Sequence, residues 1–312
     1  MKVLLASPIH DTALRRLQER YDVSTAYDAP EAVLKERIRG CDALVFRSGV
    51  TISAGVMAQA PNLQLAIRAG SGCENIDHDY VREHGIELVR VPGPGAKAVA
   101  EMAFALMLAL ARNILPADRQ LRQGRWVKHQ MTGWLLTGKT LGVVGVGNIG
   151  TRVAQMAVAW GMEVVGCVEQ YSAEQAADLA AQGIRLTTLE EVLTASDIVS
   201  LHVPRTPATT RLINRDTLRL MKPGAFLVNL ARGGVVDEQA LGEALASGHL
   251  RGAALDVHEA EGEGKVSPLA ALDQVILTPH IGAGTYDSQR ELGDIVVERI
   301  RAFEEAAQAV AR

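Results

Sequence analysis

Cysteine is scarce. Cys41, Cys73 and Cys167 are the three in 312 residues, far apart and odd in number. That rules out a disulfide framework, the spacing has no zinc-ligand pattern, and the thiols suit a reducing cytosol, so the chain is expected to be cytoplasmic and metal-free. Excess charge is missing too: a formal net charge of -4 gives no reason to expect nucleic acid or an anionic membrane surface as partner. No apolar run approaches the roughly 18 residues that span a bilayer. The longest, "AVAEMAFALMLALA" at 98–111, is interrupted by Glu101, lies between Lys97 and Arg112, and reads as a buried or interface helix. "MKVLLASPIH" at the start has too little apolar length for a secretory segment and reads as a first strand. No repeat or low-complexity tail is present, and the length suits two domains with a core each.

What is present is alternation. "KVLLAS" (2–7), "DALVFRS" (42–48), "LQLAIRAG" (63–70) and "IELVRV" (86–91) read as strands separated by helical patterns, which implies a parallel sheet covered on both faces. "VPGPGAK" (91–97) then reads as a connector between domains. A second alternation starts near 139, with strands expected in "TLGVVGVG", "EVVGCVE", "GIRLTT", "DIVSLHV", "GAFLVNL", "GAALDV" and "QVILTP". Seven short strands with helices between them suffice for a doubly wound nucleotide fold. The stretch from about 286 to 312 reads as one amphipathic helix.

"GVGNIG" places Gly145, Gly147 and Gly150 at the spacing G-x-G-x-x-G. The hexapeptide alone is weak, but here it follows an apolar strand and opens a helix, as the dinucleotide motif requires. Gly145 permits the tight turn, Gly147 lets a pyrophosphate approach the backbone, and Gly150 lets the helix sit close to the strand. The helix start then offers free N–H groups and a positive dipole end to phosphates. Glu169, at the end of the second strand, is the expected acceptor for a ribose hydroxyl. A carboxylate there favours NAD over NADP, and the next cation along the chain is Arg185.

Three later strand ends carry ionisable residues: Arg232 after "VNLA", the segment "LDVHEAEGEG" (255–264), and His280 in "TPHIGAG". In an open parallel sheet such carboxyl-end loops meet at the ligand crevice. A 2-keto acid awaiting hydride needs a cation to hold its carboxylate and polarise its carbonyl, which a guanidinium fork does. The developing alkoxide needs a proton, which an imidazolium supplies when a neighbouring carboxylate holds its ring and favours its charged form.

At this point the chain resembles the D-isomer-specific 2-hydroxyacid dehydrogenase family. The motifs are "GVGNIG", "HVPRTPATTRLIN", "MKPGAFLVNLARGGVVDEQAL", "GAALDVHEAE", "LTPHIGAGT" and, in the first part, "RAGSGCENID". The resemblance covers nearly the whole chain. It implies an α/β protein of two doubly wound parallel-sheet domains: a Rossmann cofactor domain over 98–285, and a flavodoxin-like substrate domain made of 1–97 with 286–312. It implies a catalytic set on Arg232, Glu261 and His280, with Glu259 and Glu263 as alternatives to Glu261. Substrate contacts fall on Arg232, on the loop Ser71, Gly72 and Cys73, and on Arg47, with Arg68 a further anion contact or else a rim charge. NAD contacts fall on Gly145, Gly147, Asn148, Ile149, Gly150 and Glu169, then on His202, Val203, Pro204 and Thr206. Leu230, Ala231 and Asp256 follow, with the segment 280–283 that includes Gly282 and Ala283. The ribose-binding Asp of many relatives falls on Val168, one position before Glu169, which leaves NADP open. A homodimer through helix 98–111 is implied, and Lys128 lies in a loop that reaches a neighbouring subunit in some relatives. At 312 residues the chain is expected to be a short form, lacking the regulatory domain of the longer phosphoglycerate dehydrogenases. His258 lies near the expected site, while His10, His78, His84, His129 and His249 carry no functional expectation. A phosphonate analogue of a hydroxy acid stays open as substrate, and a nucleotide-sensing regulator is the rival function.

Overall fold

A computed structural model describes residues 1–70 and 72–310. The chain divides into two compact units, Met1–Ala98 with Ala283–Arg312, and Val99–Gly282.

Among the described residues, the first unit holds a five-stranded parallel sheet: β1 (Lys2–Leu5), β2 (Asp22–Thr25), β3 (Ala43–Phe46), β4 (Leu65–Arg68) and β5 (Glu87–Arg90). Their spatial order is β2-β1-β3-β4-β5, the flavodoxin-like arrangement. β3 and β4 are buried at all four positions, so their sequences run apolar without alternation up to Arg68 at the end of β4. Two apolar clusters build the core, one around Leu4, Leu44 and Phe46, the other around Leu5, Val45 and Ile67. The second is completed by Leu292, Val296 and Ile300 of the helix Tyr286–Val310. Arg16 of the first helix (Asp11–Gln18) and Arg20 in the turn after it pair with Asp294 and Glu304 of that last helix at 2.5 and 2.6 Å.

The second unit holds a seven-stranded parallel sheet: β6 (Thr140–Val144), β7 (Glu163–Cys167), β8 (Ile184–Leu186), β9 (Ile198–Leu201), β10 (Phe226–Asn229), β11 (Gly252–Leu255) and β12 (Val275–Leu277). The order is β12-β11-β10-β9-β6-β7-β8, so the chain reverses direction of growth between β6 and β9. In such sheets ligands bind outside the carboxyl ends of the strands at that switch point. A core of Leu201, Leu227, Leu241, Leu255 and their neighbours covers one face.

Two differences from expectation stand out. "VPGPGAK" does lie where the chain passes from one unit to the other, between Ala98 and Val99, but it is not a break in structure: the helix begins at Gly93 and runs to Ala111, with the prolines and glycines around its first turn. Proline is tolerated there because a first-turn N–H has no partner within the helix. The resulting 19-residue helix is long and apolar enough to cross a membrane, but 61% of its apolar window is buried inside the protein, as in a core helix. The second difference is β2, "DVST", an edge strand absent from the expected set.

Candidate active site

The turn after β6 is built around its glycines. Gly145 has φ +97° and donates its N–H to Cys167 O at 2.9 Å, tying the turn to the end of β7. A Cβ on Gly145 would strike the His202 carbonyl, and one on Gly150 would overlap the Gly145 carbonyl oxygen. A Cβ on Gly147 would meet nothing within 4 Å. Gly147 is also the N-cap of the helix Asn148–Ala159, and no side chain caps it. The turn therefore has two glycines forced by packing, one that keeps open space, and a bare helix start. That combination fits a pyrophosphate held by backbone N–H groups. Glu169 is exposed two residues past the end of β7, beside the half-buried Val168.

β9 delivers His202 to the opposite side of the switch point, where its N–H reaches Val144 O at 2.8 Å. Its ring is buried, with Nε2 at 2.9 Å from Ser200 Oγ and Nδ1 enclosed without a partner among the described residues. Burial pushes its pKa down to about 4, so the ring is neutral at physiological pH. Thr206 bonds with Thr209, whose hydroxyl also donates to Pro204 O at 2.6 Å, so its side chain closes the turn that follows Val203 and Pro204.

β10 ends in Asn229, whose side chain accepts the Ala231 N–H at 3.0 Å and donates to Arg232 O at 3.4 Å. Leu230 and Ala231 are buried, and Arg232 is half-buried with Nη1 donating to Ala231 O at 2.7 Å. Gly233 packs so closely that a Cβ there would overlap His258 O, which brings the Arg232 turn against the loop after β11.

Asp256 follows β11 and is 2% exposed. Its carboxylate accepts Thr278 Oγ1 at 2.6 Å and the N–H groups of Ile281 and Gly282 at 2.9 and 2.8 Å. Its carbonyl accepts the His280 N–H at 2.8 Å. His280 adopts φ +54°, a left-handed conformation costly for a non-glycine residue, inside this clamp. Its Nδ1 lies 2.9 Å from Glu261 Oε2, and Glu261 Oε1 accepts the His258 N–H at 3.1 Å. Of the three carboxylates left open, Glu261 is the one that meets His280. Burial alone raises the Glu261 pKa, but the hydrogen bonds from His280 and the His258 N–H outweigh it and hold the carboxyl below its ordinary value. His258 bonds Thr278 O through Nε2 at 2.9 Å, which stiffens the same turn.

The first unit places Arg47 after β3 and Arg68 at the end of β4, both tied to Asn75. Asn75 accepts Arg68 Nε at 3.3 Å and donates to Arg47 O at 2.7 Å. Burial lowers the Arg47 pKa. Gly72 and Cys73 are buried, with Cys73 O 2.8 Å from His78 Nε2; Ser71 lies outside the described residues. Ala283 falls in the first unit. Sequence reasoning passed over Asn229, Asn75 and Glu238, whose side chains shape these turns. A lone Asn at a strand end was the available signal for the first.

Residues 104–282 match the family described as "D-isomer specific 2-hydroxyacid dehydrogenase, NAD binding domain". The chain is 42% identical over 302 residues to a D-3-phosphoglycerate dehydrogenase of Methanocaldococcus jannaschii, covering 96% of this chain and 57% of that one. It thus spans little more than half the length of that relative. A hydroxypyruvate reductase of Thermotoga maritima is 40% identical, with 93% of both chains covered. Among solved structures, a D-lactate dehydrogenase from Aquifex aeolicus, complexed with NAD and lactic acid, superposes with a TM-score of 0.85 at 30% identity over 98% of this chain and 96% of that one.

Proposed function

Because the chain belongs to the D-isomer specific 2-hydroxyacid dehydrogenase family, we propose that it is an NAD-dependent enzyme interconverting a small 2-keto acid and its D-2-hydroxy acid. NAD supplies or accepts the hydride at its nicotinamide ring. Gly145, Gly147, Asn148, Ile149 and Gly150 hold its pyrophosphate, Glu169 its ribose, and the turns at His202–Thr206, Leu230–Ala231 and Asp256 complete its contacts.

The observation that carries the reading is the 2.9 Å contact between His280 Nδ1 and Glu261 Oε2. With Nδ1 committed to a carboxylate, Nε2 is the nitrogen that exchanges a proton with the substrate oxygen. In reduction, C2 receives the hydride and its oxygen takes the Nε2 proton; in oxidation both leave. Arg232 binds the substrate carboxylate and polarises the C2 carbonyl through its guanidinium fork. In the first unit, Arg47 ends a strand at the switch point of a flavodoxin-like sheet and is the candidate contact for an anionic group of the substrate.

Identity of the acid depends on pocket contacts worth only ~1–3 kcal/mol each. The test is therefore a panel of glyoxylate, hydroxypyruvate, pyruvate, bulkier 2-keto acids and a phosphonate analogue, assayed with NADH and NADPH and with product chirality determined. Turnover of at least one acid to a D product is expected, with His280→Ala roughly 10²–10⁴-fold slower. NADH binding without turnover across the panel overturns the reading and favours a nucleotide sensor. A second copy of the chain is the proposed partner, through the helix containing 98–111. The exposed Leu115, Leu121 and Trp126 just beyond it supply apolar surface that a monomer leaves wet. Sedimentation at micromolar concentration checks this.

A further inference from the structure

The loop that carries Glu261 has little packing of its own. Residues 259–266 are all exposed, belong to no helix or strand, and include Gly262 and Gly264 at φ +119° and +74°. Segments of this kind open locally at low free-energy cost unless something fastens them. Yet Glu261 must present one oxygen to His280 Nδ1 and the other to the His258 N–H. What fastens the loop is a side chain from another element. Glu238, in the first turn of the helix Glu238–Ala246, is 2% exposed. Its Oε1 accepts the Glu259 N–H at 2.7 Å, and its Oε2 accepts the Ser267 hydroxyl at 2.9 Å. One buried carboxylate thus grips both ends of the exposed segment.

A buried carboxylate is costly, and no ion pair of Glu238 is found among the described residues. The helix N-terminus eases that cost. A leucine would pack there at less cost, so what the carboxylate adds is the pair of hydrogen bonds to the loop. We propose that Glu238 is a positioning residue: it clamps the Glu259–Ser267 loop and thereby holds the Glu261 carboxylate on His280. The inference rests on the proposed role of Glu261 and His280 as the proton-transfer pair. The charged and titratable groups around that pair are His258 on the same turn, Asp256 after β11, and Arg232 from the turn after β10. Glu259, Glu263 and Lys265 lie on the loop itself. None of these is altered by changes at Glu238.

The test measures kcat/KM for reduction of a 2-keto acid against pH, alongside NADH affinity by fluorescence. Glu238→Gln keeps both bonds, since its amide oxygen accepts the Glu259 N–H and its amide N–H donates to Ser267 Oγ; near wild-type activity and pH profile are expected. Glu238→Ala removes both bonds. It is expected to lose roughly 10–100-fold in kcat/KM, the scale of a misplaced catalytic group, with NADH affinity unchanged. Its acidic limb should move to higher pH, because a released Glu261 loses the hydrogen bonds that hold its pKa down. Should Glu238→Ala fail to fold, Ser267→Ala, which removes one anchor, is expected to shift the limb in the same direction. A wild-type profile in whichever of these two variants folds, with His280→Ala impaired, overturns the inference alone. A fully active His280→Ala protein overturns the parent reading, and the inference with it.

Discussion

His280 is a histidine in a backbone region that glycine favours, at φ +54°. A left-handed non-glycine residue costs about 1–2 kcal/mol, so its surroundings must impose the geometry. Asp256 does so with three hydrogen bonds to Thr278, Ile281 and Gly282, while its carbonyl takes the His280 N–H. The Arg232 turn is held by Asn229 and by the close approach of Gly233 to His258. Arg232→Ala is expected to lower kcat/KM by about 10²–10³-fold, with Arg232→Lys recovering only part, because an ammonium lacks the two-pronged geometry. Steady-state kinetics on the two variants checks this. His202 gives a separate prediction about stability. Its pKa falls from 6.5 to about 4 on folding, because the buried ring cannot be charged cheaply. The unfolded chain therefore binds more protons than the folded one between those values. Stability is full above pH 6.5 and declines as pH falls toward 4, by on the order of 3 kcal/mol from this residue. Urea unfolding of His202→Asn at pH 7.5 and at pH 4.5 should show a smaller loss than the wild type; an equal loss refutes the assignment.

At the scale of elements, the β6 turn separates folding from binding within one motif. Gly150→Ala drives a methyl into the Gly145 carbonyl and is expected to cost several kcal/mol, seen as a lower Tm. Gly147→Ala meets open space, so Tm should barely move while NAD affinity falls about tenfold or more, the equivalent of ~1.4 kcal/mol. Calorimetry and NADH titration on the two proteins decide whether the glycines divide in this way. The same turn shows what the sequence makes legible. Strands buried on both faces, such as β3, β4 and β9, are apolar at nearly every position and announce themselves. β2 is exposed or half-exposed at every position and carries Asp, Ser and Thr, so pairing with β1 is what makes it a strand. "VPGPGAK" misleads because the residues that end helices are tolerated in the first turn of one. Among the proposed site residues, Arg232 and His280 stand out in sequence as ionisable residues just past strand ends, and Glu261 as one of three glutamates on the loop after β11. The partners that aim them do not. Asp256's carboxylate also fastens the 278–282 turn, and Glu238 looks like an ordinary first-turn glutamate until the fold buries it.

For the whole molecule, each compact unit carries its own parallel sheet and its own apolar core. Chains with two cores commonly depart from two-state unfolding. Two calorimetric transitions are therefore expected. The glycine turn, Glu169, His202 and Asp256 all lie in Val99–Gly282, so a ligand bound there stabilises that unit directly. NAD at one hundred times its Kd adds about 2.7 kcal/mol to the state that binds it, which for a unit of this size raises its Tm by roughly 5–11 °C. The transition of Val99–Gly282 should rise by this amount with NAD, more than with NADP at equal concentration, because the exposed Glu169 repels the additional phosphate. In Glu169→Ala the two cofactors should converge. Equal shifts by NAD and NADP in the wild type would instead place the adenosine ribose away from Glu169, and a single transition that shifts as a whole would show that the units unfold as one.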